Sequence, residues 1–271
     1  MNNSYYTGGV VLVLDYSFFK KKFLELTGFD LNCYKDQQME RRIHQFISRL
    51  NVKDYYGYYK ILESDDQERA RFLNYLTINT TSFFRDTAVY KNLKTKIIPE
   101  ILFRKKNKIK FWSAGCSIGA EPYSLSIILS ELTVPGRYFI IATDIDAQVL
   151  EKAEKGIYFS NQLENIDSQN LRKCFIKEGD HYKIREHLKN NIKFKKHDLL
   201  KDPYEKDCDL IMCRNVFIYF KQNIQEKILA GFIDSLNPLG YLVIGCSENV
   251  GNHRKFGLKR MEVAIYQKGE A

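Results

Sequence analysis

The chain has 271 residues, 44% hydrophobic and 28% charged, with a formal net charge of +9. That balance is ordinary for a soluble globular protein able to bury a sizeable core, as one large domain or two modest ones. No stretch is long and apolar enough to span a bilayer, and six cysteines without a CxxC pair or a nearby histidine cluster leave no metal site in view.

The apolar run at 8–14 lacks a basic flank and a cleavage site, so no signal peptide is expected and the chain reads as cytoplasmic. Cys208, Cys213 and Cys246 lie in or beside apolar runs and read as small buried hydrophobes. The basic balance favours an acidic partner without saying which kind.

Phe19, Phe23 and Leu26 fall at helical spacing within 15–27, and Gly28 is a plausible stop. A second helix is predicted over 35–50, with Met39, Ile43, Phe46, Ile47 and Leu50 on its apolar face. Lys35, Arg42 and Arg49 are spaced by seven along one flank, with Arg41 further round. This is either a solvated face or a docking strip for an acidic partner. Two more helices are predicted over 53–62 and 65–76, the second capped by Asp65. The first ninety residues or so therefore read as an all-helical module.

The stretch Leu76-Thr77-Ile78-Asn79-Thr80-Thr81-Ser82-Phe83-Phe84-Arg85-Asp86 is rich in turn and cap formers. It is a capped loop, or Asn79, Thr81 and Arg85 are aimed at a ligand. An amphipathic helix over 87–103 follows, with a break or kink expected at Pro99. The domain division is expected at 1–90 and 91–271.

From residue 108 the pattern alternates. Strands are predicted at 109–113, 138–143, 192–195, 208–213 and 240–246, and helices at 121–132, 146–155 and 222–236. Pro238-Leu239-Gly240 reads as a turn before a strand. Buried strands separated by helices indicate an α/β fold with an open, mostly parallel sheet. Residues 157–191 interrupt it and read as an inserted subdomain with a hairpin at Glu178-Gly179-Asp180.

Ligands of such sheets bind beyond the carboxyl ends of the strands. There the sequence places Gly115, Gly119 and Glu121, then Asp144, then Asp198-Leu199, then Arg214-Asn215 with Tyr219 beyond, then Ser247-Glu248-Asn249. The glycine turn is neither GxGxxG nor a P-loop. Its rim supplies acids, which suit ribose hydroxyls and a cation better than phosphate. A ligand with a ribose, an ammonium and a sulfonium fits, which points to S-adenosylmethionine.

The stretches LTINTTSFFRD, FWSAGCSIGAEPYSL, ATDIDAQVLEKAEKGIY, HDLL, CDLIMCRNVFIYF and LNPLGYLVIGCSEN closely resemble the bacterial chemotaxis receptor glutamate methyltransferases, the CheR family. The resemblance implies a Rossmann-like S-adenosylmethionine-dependent methyltransferase domain with a small inserted antiparallel β-subdomain, preceded by an all-α receptor-docking domain. It implies that Asn79, Thr81, Arg85, Gly115, Glu121, Asp144, Asp198, Leu199, Arg214 and Asn215 contact the cofactor, and that Arg85 and Tyr219 flank the transferring methyl. The family often has Asn-Leu where Asp198-Leu199 stands, and an acid where Ala120 stands.

The implied product is S-adenosylhomocysteine. The implied partner is the acidic cytoplasmic helical bundle of the receptors, met by Lys35, Arg41, Arg42 and Arg49. A short hairpin turn argues against tethering to a receptor C-terminal peptide, and a monomer that neither binds nucleic acid nor inserts in the membrane is expected. The rival readings are a nucleic-acid methyltransferase, which lacks its NPPY-type motif here, and a non-catalytic scaffold, which Arg85 and Tyr219 oppose.

Overall fold

A computed structural model of the chain describes residues 16–50, 52–77 and 81–270. The apolar run at 8–14 and the candidate Asn79 lie outside the described residues. The chain divides into two compact units between Leu76 and Thr77.

The first unit is helical: α1 (Tyr16–Thr27), α2 (Asp36–Ile47), α3 (Tyr55–Ser64) and α4 (Asp66–Leu76). Its core is aromatic. Phe72 meets Phe23 and Tyr58 edge-on, with ring centroids 5.4 and 5.0 Å apart, the arrangement that sets ring edges against π faces. Asp65 caps α4, accepting the Gln67 and Glu68 N–H groups at 2.8 and 3.0 Å.

The expected basic strip is changed in two ways. Helix α2 is shorter than the 35–50 pattern, so Lys35 precedes its first turn and Arg49 falls in the turn after it. Arg42 also faces inward. Its guanidinium donates to the Tyr75 carbonyl, from Nε at 3.0 Å, and lies 4.2 Å over the Tyr75 ring. Tyr75 is in the last turn of α4, where carbonyls lack partners within the helix. Arg42 therefore ties α2 to α4, leaving Lys35, Arg41 and Arg49 as the exposed members.

The second unit opens with α5 (Thr87–Asn92), a π-helical turn at Leu93–Ile97, and α6 (Ile98–Arg104). The break expected at Pro99 is this widened turn, after which Pro99 follows as the second residue of α6. Then come β1 (Ile109–Ala114), α7 (Ala120–Leu132), β2 (Tyr138–Asp144) and α8 (Ala147–Lys155). The insertion follows, with β3 (Ile157–Phe159), α9 (Ser168–Cys174), β4 (Phe175–Glu178), β5 (His181–Ile184) and α10 (Glu186–Lys189). The chain closes with β6 (Ile192–Lys196), β7 (Cys208–Cys213), α11 (Gln222–Ser235), β8 (Leu236–Ile244), β9 (Leu258–Glu262) and β10 (Ile265–Lys268).

Among the described residues the main sheet has seven strands in the order β6-β2-β1-β7-β8-β10-β9. It is parallel except that β10 runs antiparallel to β8 and β9. Strand β7 is buried along its whole length, as its near-continuous apolar run requires. The insertion pairs β3, β5 and β4 antiparallel in that order, and the β4–β5 turn uses Gly179 at φ 61.

Three expectations are corrected. The domain border falls at 76/77 and not at 90, because Phe83 is buried in the second unit, edge-on to Tyr158 and Phe175 at 4.8 and 5.4 Å. The Phe84 N–H also donates to Ser124 Oγ at 3.0 Å, so the Phe83-Phe84-Arg85-Asp86 segment belongs with the sheet. Pro238-Leu239-Gly240 lies inside β8, where the register slips opposite Cys208–Leu210 and Leu239 takes φ 58. Cys246 is exposed, because it lies just past the end of β8.

Candidate active site

The order of the main sheet reverses at β1 and β7. From β1 the chain crosses to β2 and β6 on one side; from β7 it crosses to β8 on the other. The loops leaving the carboxyl ends of β1 and β7 therefore diverge, which is where open α/β sheets hold ligands.

The turn after β1 is built on Gly115 (φ 79), Ser117 (φ 50) and Gly119 (φ 87). A Cβ on Gly115 would lie 2.7 Å from Val216 Cγ2, so glycine lets the loop after β7 close down on this turn. Four of the turn's amides are engaged within the protein. Gly115 and Cys116 N–H donate to the Thr143 carbonyl at 2.8 and 2.9 Å, Gly119 N–H to the Cys116 carbonyl at 3.0 Å, and Ser117 N–H to Asp144 Oδ2 at 2.8 Å. A phosphate-binding turn needs such N–H groups for its ligand. This turn spends those four within the protein, and the carboxylates of Glu121 and Asp144 stand beside it.

Glu121 is buried in the first turn of α7 and accepts the Ser113 hydroxyl at 2.7 Å on Oε1. Arg214 Nη1 stands 3.9 Å from its Oε2. Burial pushes the Glu121 carboxyl up to about 7, against the opposing pull of Arg214 and the Ser113 bond. Burial likewise pushes Asp144, at the end of β2, up to about 6, against its bonds from the Asp146 and Ser117 N–H groups.

Arg214 is itself buried. Its Nη2 donates to the Arg85 carbonyl at 2.7 Å and to Asp86 Oδ2, and its guanidinium lies 5.4 Å over the Tyr90 ring. Among the described residues its buried Nε has no acceptor. An orphaned guanidinium N–H beside the buried Glu121 carboxylate fits a ligand with a carboxylate and cationic groups, and Asp144 suits a ribose diol. S-adenosylmethionine has all of these, so the residues present fit the cofactor.

The other described sequence candidates for the cofactor and acceptor lie in the second unit. Thr81 and Arg85 are half-buried in the second unit, and the turn around Arg85 is strained, with Phe84 at φ 49 and Asp86 at φ 60. The His197 N–H donates to the Asp144 carbonyl at 2.9 Å, which sets Asp198-Leu199 beside Asp144. The Asp198 carboxylate also accepts the Leu200 N–H at 2.9 Å. Asn215 follows Arg214 at φ 59, and Tyr219 ends the 3-10 turn Phe217–Tyr219. Lys35, Arg41, Arg42 and Arg49 belong to the helical unit.

Sequence reasoning assigned no role to Ser113, Asp86 or Glu248. Ser113 bonds Glu121, Asp86 meets Arg214, and Glu248 accepts backbone N–H groups of the loop after β7. Only Glu248 carries a usable signal, an acid four residues past a buried strand.

The raised Glu121 carboxyl has a testable consequence. The folded chain keeps this proton where the unfolded chain has lost it, so the group's contribution to stability falls as pH rises from the ordinary carboxylate range to about 7. A cation bound beside it favours the ionised form. Affinity for S-adenosylmethionine should therefore drop by up to about tenfold per pH unit below about 7, and Glu121→Gln should flatten that slope. Calorimetric titrations across the range check this; a slope that Glu121→Gln leaves intact would assign the proton elsewhere.

Comparisons with known proteins match both units of the chain. Residues 14–77 match the family described as CheR methyltransferase, all-alpha domain, and residues 79–265 match CheR methyltransferase, SAM binding domain. A chemotaxis protein methyltransferase of Listeria innocua is 38% identical, over 94% of this chain and 97% of its own. Chemotaxis protein methyltransferases of Salmonella typhimurium and Escherichia coli are each 35% identical, over 90% and 89% of this chain and 87% and 86% of theirs. The cofactor is thus S-adenosylmethionine, as the acids at the strand ends indicate. With a helical domain and a cofactor-binding sheet domain that each match the same family, this chain belongs to the CheR methyltransferases.

Proposed function

We propose that the chain methylates glutamate side chains of chemotaxis receptors, forming glutamyl methyl esters. The seating of Arg85 carries this reading. Its carbonyl is held by Arg214, its charge acts on Glu121, and it brings a cation to the donor site where an anionic acceptor must arrive.

When bound, S-adenosylmethionine supplies a methyl group on a positively charged sulfur and leaves as S-adenosylhomocysteine. Glu121, Asp144, Asp198-Leu199, Arg214 and Asn215 hold it, with Thr81 and the Gly115 turn beside them. An acceptor glutamate is ionised at neutral pH, so no general base is needed. The protein's task is to align the carboxylate and strip its water. Arg85 holds the incoming carboxylate and Tyr219 fixes its approach.

Transfer of tritiated methyl to receptor-containing membranes, with RNA and DNA as controls, tests the reading. Base-labile label on receptor is the expected result. Label on nucleic acid, or label on protein that resists base, would overturn it.

Lys35, Arg41 and Arg49 are proposed to dock the acidic receptor bundle. Arg41 lines a surface groove with Gln37, Glu40, His44, Gln45 and Tyr55. Such charges act mainly on association rate and fade with salt. Reversing Arg41 and Arg49 to glutamate should lower kcat/KM about tenfold at low salt, with little change in Tm. Arg42→Glu should instead lower Tm, because it breaks the tie to Tyr75. Equal kinetic losses from both, at unchanged Tm, would contradict this division. Among the described residues no helix is long and apolar enough to cross a membrane. A cytoplasmic monomer that works without a receptor tether is the form proposed.

A further inference from the structure

One carboxylate holds the loop after β7. Glu248, in the turn after β8, accepts the Asn215 and Gly245 N–H groups on Oε2 at 2.9 and 2.6 Å, and the Ile218 N–H on Oε1 at 3.2 Å. Asn215 has φ 59, a conformation that persists only where its surroundings enforce it. Ile218 belongs to the 3-10 turn Phe217–Tyr219, whose leading N–H groups find no acceptor inside so short a turn. A Cβ on Gly245 would lie 2.8 Å from Glu248 Oε2, 2.9 Å from Asn215 Nδ2 and 3.0 Å from Asn215 N. Glycine at 245 makes the space in which carboxylate and loop meet.

We infer that Glu248 is a positioning residue for methyl transfer. One of its oxygens sets Asn215 on the cofactor side and the other sets the turn that carries Tyr219 on the acceptor side. The inference rests on the roles proposed above for Asn215 and Tyr219. It adds the group that keeps the two in register, since neither the strand nor the short turn supplies these acceptors.

The two oxygens carry unequal loads, and that makes the test sharp. Glu248→Gln retains one carbonyl oxygen and replaces the other with an N–H donor. The remaining oxygen is best placed on the Asn215 and Gly245 pair, which turns the new donor against the Ile218 N–H. S-adenosylhomocysteine affinity should stay within about threefold of wild type while kcat falls about 10- to 100-fold. Amide exchange at Ile218 should accelerate and exchange at Asn215 should not. Gly245→Ala crowds the Oε2 side without altering the carboxylate, and should weaken cofactor affinity together with kcat.

Wild-type kcat in Glu248→Gln would overturn the inference. So would losses of kcat and affinity that only track Tm, with Ile218 exchange unchanged. Tyr219→Phe separates this inference from the reading it rests on. A slow Tyr219→Phe with a fast Glu248→Gln rejects the positioning role alone. A fast Tyr219→Phe with a slow Glu248→Gln and accelerated Ile218 exchange retains the positioning role and removes the one given to Tyr219.

Discussion

Replacing Arg85 with alanine is expected to slow methyl transfer by about 10²- to 10³-fold, with cofactor affinity and Tm changed far less. The side chain is half-buried, and the structural bond made by this residue to Arg214 comes from its backbone carbonyl, which alanine keeps. The segment is also anchored by the buried Phe83 and by the Phe84 N–H on Ser124 Oγ, which alanine at 85 leaves in place. What alanine removes is a cation that orients an anionic nucleophile, an effect that is large only in a site shielded from water. Arg85→Lys separates charge from geometry. A lysine supplies the charge without the planar fork and should recover part of the rate. Normal receptor methylation by Arg85→Ala would remove this residue from the chemistry.

Arg214→Leu should be the most damaging change to stability, by about 3–5 kcal/mol at alkaline pH. The guanidinium is buried and serves the Arg85 carbonyl, Asp86 and Glu121 together. Removing it leaves Glu121 buried without its cation. The Glu121 carboxyl, already raised to about 7, would rise further, so the loss should grow with pH. Adding Glu121→Gln removes the unpaired charge. The double variant should regain stability and stay inactive, because a site without these charges has lost its groups for the cofactor's amino-acid end. Denaturant unfolding of the single and double variants at two pH values checks the sign. Equal stability losses with and without Glu121→Gln would show that the penalty comes from packing and not from the orphaned charge.

Much of the cofactor site is legible in the chain. The change from helical to alternating periodicity after residue 108 locates the strands, and the residue after each buried run is then a rim position. Asp144 and Arg214 are found that way and Glu121 in the turn after the first strand, and their chemistry narrows the ligand. Arg42 shows the limit. Its spacing with Lys35 and Arg49 places it on a basic flank, yet the carbonyl it serves lies thirty-three residues away on α4. Leu239 and Cys246 depart from their sequence pattern for a related reason. A Pro-Leu-Gly triplet inside a bulged strand looks like a turn, and a cysteine beside an apolar run looks buried until the strand is seen to stop before it.

The sequence by itself determined the helical and α/β halves, the acidic strand ends, the choice of S-adenosylmethionine over a phosphate ligand, and the likeness to one methyltransferase family. These depend on residue type and local period, which do not need a partner to be defined. Only the tertiary structure decided that residues 81–90 join the sheet unit, that four of the turn's amides are already engaged, that Arg214 lies between Glu121 and Asp86, and that Glu248 holds the loop after β7. Each is a pairing between distant segments. Pairing follows from strand order and burial, because a polar group taken out of water must find its partner wherever the fold has brought one.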